Sequence, residues 1–139
     1  MINQKRLAGV AAELNKKGLD AIFIGPSADL EYMSGLDTHP DERVRGLVIG
    51  RDGRCFAMTP LLYREEIVNA FGDVPFYSEW NDHEGFAGAF RRGCEHLGVV
   101  GGRIAFNDGV RAVDMLTIRD AMEMRMENGC DLLRPLRAR

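Results

Sequence analysis

The sequence is poor in the features that mark specialised proteins. Its three cysteines, at 55, 94 and 130, are an odd number at wide spacing with no C-x-x-C pair, so neither a zinc ribbon nor a redox dithiol is indicated. They read as ordinary thiols of a reducing cytoplasm, at least one of them a small core residue. No apolar run approaches the roughly 20 residues of a membrane-spanning helix. The N-terminal Met-Ile-Asn-Gln-Lys-Arg turns polar too early for a signal peptide. Charge of neither sign dominates: 18 Lys and Arg against 21 Asp and Glu leave −3, no surplus for gripping nucleic acid or an anionic membrane. Catalytic signatures are missing too. Neither G-x-G-x-x-G nor G-x-x-x-x-G-K-[ST] occurs, His39, His83 and His96 form no H-x-x-x-H pair, and there is no G-x-S-x-G elbow. The expectation is a chain that holds no metal, cofactor or nucleophile of its own.

What is present fits one soluble globular domain over residues 1–139, since 45% hydrophobic positions in a chain of this length fill a single core. Leu7, Val10, Ala11 and Leu14 repeat with helical period, between a capping Asn3 and a terminating Gly18. Residues 19–24 read as a buried strand closed by Gly25-Pro26, and Ala28 to Met33 as a short helix ending at Ser34-Gly35. Strands at Val44–Ile49 and Arg54–Met58 flank Gly50-Arg51-Asp52-Gly53, a hairpin signal. Thr59-Pro60 offers an N-cap followed by Pro at the first helical position, ahead of a helix with Tyr63, Ile67, Ala70 and Phe71 inward. Val74–Tyr77 reads as a strand that Pro75 confines to an edge. Asp82 caps a helix that buries Phe86, Phe90, Cys94 and Leu97, and Asp82-His83-Glu84 complements the positive end of that helix. A strand at Arg103–Phe106, a helix from Arg111 to Ala121, and a strand in which Met122, Met124 and Met126 alternate with charged residues complete the pattern. Residues 132–137 open a further helix. Strands alternating with helices, and a hairpin among them, predict a three-layer α/β/α domain on a mixed sheet of about six strands.

One loop stands apart. Asp37, His39, Asp41, Glu42 and Arg43 cluster around Pro40, between one element and a buried strand that can hold them in place. On residues alone two readings stay open: a solvated loop whose ion pairs contribute little, or a positioned set of functional groups.

At this loop a family becomes recognisable. Tyr32-Met33-Ser34-Gly35-Leu36, His39-Pro40-Asp41-Glu42-Arg43 and Leu47-Val48-Ile49 resemble the Y-L-T-G-F, H-P-D-E-R and L-L-I stretches of the creatinase/prolidase N-terminal domain. That domain precedes the catalytic "pita-bread" domain of aminopeptidase P, prolidase and creatinase. Gly18-Leu19-Asp20-Ala21, Thr59-Pro60, Glu79-Trp80-Asn81-Asp82 and Asp131-Leu132-Leu133-Arg134-Pro135-Leu136-Arg137 match in order and spacing, so the resemblance runs from about Arg6 to Arg137. Met33 and Ser34 replace the commoner Leu and Thr.

The resemblance implies a cytoplasmic Xaa-Pro dipeptidase or aminopeptidase, a hydrolase whose two divalent metal ions, manganese or cobalt, sit in a C-terminal catalytic domain. None of the family's metal ligands falls in this chain, so the chain alone is expected to be inactive, and its end at Arg139 inside a helix is expected to be a truncation. The implied partners are its own catalytic domain, a second copy in a homodimer, and a Xaa-Pro peptide, with no nucleic acid and no membrane. The family's N-terminal domain helps build the dimer and walls an active site, often the neighbouring subunit's. Carried over, that role falls on His39 and Arg43, with Arg43 pairing a substrate carboxylate through its fork. It extends to Trp80, which either covers a proline ring or packs in the core. Tyr32 reads as a packing residue with a tethered hydroxyl. Two alternatives are a standalone binding or assembly module, and the N-terminal domain of a creatinase-like C–N hydrolase.

Overall fold

The computed structural model describes residues 1–138. The expected α/β/α layering is present. Helix α1 (Gln4–Lys17) starts at Asn3, whose side chain accepts from the Arg6 amide, and ends at a left-handed Gly18. Strand β1 (Ala21–Ile24) and helix α2 (Ala28–Ser34) follow, the helix capped by Ser27 and closed by Gly35. The hairpin is β2 (Gly46–Gly50) and β3 (Cys55–Pro60). Then come α3 (Arg64–Phe71), β4 (Tyr77–Trp80), α4 (Ala87–Leu97), β5 (Arg103–Phe106), α5 (Ala112–Ala121), β6 (Arg125–Asn128) and the single turn α6 (Arg134–Arg137).

The six strands form one mixed sheet in the order β4-β3-β2-β1-β5-β6. Only β2 runs against its neighbours β1 and β3, while β1–β5, β5–β6 and β3–β4 are parallel. Alternate side chains therefore feed two cores. Ile22, Ile24, Leu47 and Ile49 face α1, α2 and α3, against Val10, Leu14, Leu30 and Phe71. Phe23, Val48, Phe56 and Ile104 face α4 and α5, against Phe90, Cys94 and Ile118. Two of the three thiols, Cys55 and Cys94, are core residues, and burial pushes them up to about 11 and about 12 respectively.

Several boundaries differ from the sequence reading: β1 starts at Ala21 rather than at residue 19, and β6 starts at Arg125, so that Met122 and Met124 precede the strand and only Met126 lies in it. Strand β3 runs on through Thr59-Pro60, because Pro60 is extended (φ −61°, ψ 135°) and aligns with Trp80 of β4; a 3₁₀ turn at Leu61–Tyr63 then leads into α3. Strand β2 begins two residues late, at Gly46, whose φ of +149° and close approach to the Ile24 carbonyl leave no room for a Cβ. Strand β4 lies three residues downstream of the expected span, after Pro75, though at the sheet edge as expected. Asp82 does not cap α4, which starts five residues later; Asn81 instead closes a turn by accepting from the Glu84 amide. The last helix ends at Arg137, and Arg139 lies outside the described residues. Among the described residues no helix is long and apolar enough to cross a membrane.

Candidate functional site

Strand directions decide where the polar loop goes. With β2 alone reversed, the C-terminal ends of the other five strands and the start of β2 share one end of the sheet. The 36–45 loop, the Leu61–Tyr63 turn, the 81–86 turn and the 107–111 segment all lie at that end, where α/β sheets present their functional loops.

The loop is organised by a residue that the sequence reading passed over. The Arg45 side chain is only 5% exposed. Its Nη1 donates to Asp41 Oδ1 (2.8 Å) and the Arg43 carbonyl (3.0 Å), and its Nη2 to Thr38 Oγ1 (2.8 Å) and the His39 carbonyl (2.7 Å). Its Nε finds no partner among the described residues. The guanidinium lies over the Tyr63 ring, 4.5 Å from the centroid. Tyr63 in turn donates to Asp41 Oδ2 at 2.7 Å, and the Arg43 amide donates to Asp41 Oδ1 at 2.8 Å. Partial burial pushes the Asp41 carboxyl up, but these donors outweigh it and hold the group below its usual value. The same bond to Asp41 pushes the Tyr63 phenol up. Four loop positions are thus tied to one buried cation. The signal was legible as a charge set between Val44 and the Gly46–Ile49 run, where a strand pattern calls for an apolar or small residue.

On that frame the loop presents its remaining groups outward. His39 is exposed, held through its main chain while its ring is turned to solvent. Arg43 keeps 23% of its side chain exposed. Its fork is already engaged: Nε and Nη2 donate to the two oxygens of Asp82 at 3.1 and 2.7 Å, and Nη1 to Glu42 at 2.8 Å. The bond to Asp82 raises the guanidinium's proton affinity. Asp82 is 63% exposed, so the fork of Arg43 holds a planar, bidentate carboxylate of the same chain at the protein surface. Arg111 grips the buried Asp114 in the same two-bond fashion across a small hollow of about 10 Å³.

Trp80 does not line this surface. It is 5% exposed, its indole donates to the Val44 carbonyl at 3.0 Å, and it meets Phe86 edge to face. The core alternative is where the structure places it, directly behind the loop. Tyr32 is a packing residue as expected: Arg6 covers its ring at 4.2 Å and its hydroxyl reaches the Leu136 carbonyl. Among the described residues no three His, Cys, Asp or Glu side chains converge as metal ligands would.

The architecture has counterparts among solved structures. No curated protein matches the chain. A dipeptidase from Pyrococcus horikoshii is 30% identical over 95% of this chain, with a TM-score of 0.82. A prolidase from Thermococcus sibiricus (20% identical, TM-score 0.80, 98% of this chain) shares the fold, as does the N-terminal domain of a Xaa-Pro dipeptidase from Lactobacillus brevis (18% identical, TM-score 0.80, 96% of this chain). This chain covers 99% of the Lactobacillus domain but only 36% and 37% of the Pyrococcus and Thermococcus chains. The model of the creatinase/prolidase N-terminal domain matches residues 6–133, and the chain belongs to that family.

Proposed function

We propose that this chain is the non-catalytic N-terminal domain of a cytoplasmic, homodimeric Xaa-Pro dipeptidase or aminopeptidase, and that its 37–43 loop walls a substrate site formed with a catalytic domain. The parent's two divalent metal ions, manganese or cobalt, belong to that other domain. The observation that carries the reading is the loop frame. A solvated connector has no use for a buried arginine that fixes four of its positions, whereas a wall must hold its groups in place before substrate arrives. Arg43 supplies a planar fork that takes the free carboxylate of a short peptide in place of Asp82. His39 faces outward beside it, and Trp80 backs the wall through its bond to Val44.

In the full-length enzyme, His39→Ala and Arg43→Ala are expected to lower kcat/KM by about ten- to a thousandfold while folding and metal content stay unchanged. Arg43→Lys should rescue only part, since it keeps the charge and loses the fork. Mixing a loop variant with a metal-ligand variant restores activity if the loop serves its neighbour's site. Unchanged kinetics in both alanine variants would remove the loop from the site and leave the domain a purely structural role. The 139-residue chain alone is expected to cleave no Xaa-Pro dipeptide with added Mn²⁺ or Co²⁺.

A further inference from the structure

The sheet has two edges, and only one of them is closed by its own side chains. At β4 the outward Glu79 carbonyl accepts from Arg92 at 3.1 Å, and Arg64 pairs the Glu79 carboxylate. At β6 the Arg125 and Gly129 amides donate inward to β5, so alternation turns the main-chain N–H and C=O of Met126 and Asn128 outward. Among the described residues nothing pairs with those outward groups. Open edges of this kind are templates for another strand.

We propose that β6 pairs antiparallel with β6 of a second copy of this chain, about a two-fold axis at Met126, extending one sheet across two molecules. Three observations select this occupant and this register. The outward polarity of Met126 makes a 126–126 pair the hydrogen-bonded kind, in which the two residues exchange both bonds. The same register sets Arg125 of each copy opposite Glu127 of the other, at the non-hydrogen-bonded positions where side chains come closest, so two opposite-charge pairs form by symmetry. Finally, among the described residues Arg125 has no carboxylate partner: Glu127 of its own strand is held through Oε1 by Arg103 of β5 at 2.9 Å, and the partner's Glu127, bound in the same way, meets Arg125 with its other oxygen. Apolar surface continues from the edge: Met115 of α5 and Met126 line a common groove, and α5 leaves Val113 and Leu116 about half exposed. The proposal rests on the homodimer put forward above and gives it a surface; it is independent of the role assigned to His39 and Arg43.

Sedimentation equilibrium of the 139-residue chain up to about 1 mM is expected to show a reversible dimer. Arg125→Glu should weaken it by about tenfold or more, because both cross-strand pairs become repulsive. The fold should survive this change, since the new carboxylate faces Arg103 within the chain. A cysteine scan reads the register directly, in a Cys130→Ser background that removes the thiol in the same groove. Met126→Cys should give a disulfide-linked dimer under mild oxidation, as facing Cα atoms of such a pair sit about 5.5 Å apart. Arg125→Cys and Glu127→Cys should each fail alone and cross-link when mixed. A monomer at about 1 mM, a dimer indifferent to Arg125→Glu, or self-linking at 125 equal to that at 126 would each overturn the proposal. In the full-length enzyme, a dimer that survives Arg125→Glu leaves homodimerisation standing and removes the β6 edge from it.

Discussion

Replacing Arg45 by Met keeps much of its packing volume and deletes every bond that ties the loop to the fold. The side chain makes four hydrogen bonds, one of them to the Asp41 carboxylate, from a site 5% exposed. Removing one member of a buried ion pair costs about 3–5 kcal/mol. Here Asp41 stays 30% exposed and keeps its bonds from Tyr63 and the Arg43 amide, which places the cost nearer about 2–4 kcal/mol. At about 2.1 cal/mol/K per residue over 139 residues, each kcal/mol moves Tm by about 3.4 °C. Arg45→Met should therefore melt about 7–14 °C below the wild type. The domain should still fold, because both hydrophobic cores are untouched. Arg45→Lys keeps the charge but loses the fork, and should recover no more than about half of the loss. Hydrogen exchange localises the effect: amides at 37–44, the Arg43 amide above all, should lose protection while those of β1 and β5 keep theirs. The pH dependence carries a sign. Asp41 is held below its ordinary value, so the stability it contributes is present above about pH 4 and disappears as pH falls through its folded-state value. Without Arg45 that acid limb should move up in pH. A Tm within about 3 °C of wild type, with unchanged exchange in the loop, would refute the assignment of Arg45 as the loop's anchor.

Gly93→Ala should destabilise by about 1–3 kcal/mol despite better helix propensity, because its Cβ would fall inside the Phe56 ring; Phe56→Leu should make the double variant less unstable than the sum of the singles. Burial pushes the Asp29 carboxyl above its usual value, against the pull of Asn107 and Arg137. Wild-type stability should accordingly fall as pH rises from about 4 through that raised value, and Asp29→Asn should flatten this limb in denaturant titrations from pH 4 to 7. With a thiol reagent near pH 8, Cys130 should react promptly, while Cys55 and Cys94, buried and pushed up to about 11 and about 12, should wait for unfolding.

The sequence determined those features that local chemistry and periodicity encode. Asn3 and Gly18 bound α1 because capping is a contact between near neighbours, and Gly50-Arg51-Asp52-Gly53 between two apolar runs announced a hairpin because its strands pair across a four-residue connection. The family, too, was readable from the order of short motifs. Boundaries moved where tertiary pairing outweighed a local signal. Thr59-Pro60 has the chemistry of a helix start, yet pairing with Glu79 and Trp80 across eighteen intervening residues keeps it in the sheet. Asp82 has the chemistry of a cap, yet Arg43, thirty-nine positions away, takes both of its oxygens. The candidate site followed the same division. His39 and Arg43 were conspicuous as a polar cluster, whereas Arg45 was marked only as a charge set in an apolar stretch, with no local sign of what it would hold. Its importance depends on Tyr63 arriving from the far end of β3 and on burial that only the closed sheet creates. Trp80 was a lone aromatic with two open readings until the Val44 carbonyl came within reach of its indole. Contacts within a turn or two are set by residue type and spacing, whereas a long-range ion pair or a buried charge exists only once the sheet order has brought distant segments to one end.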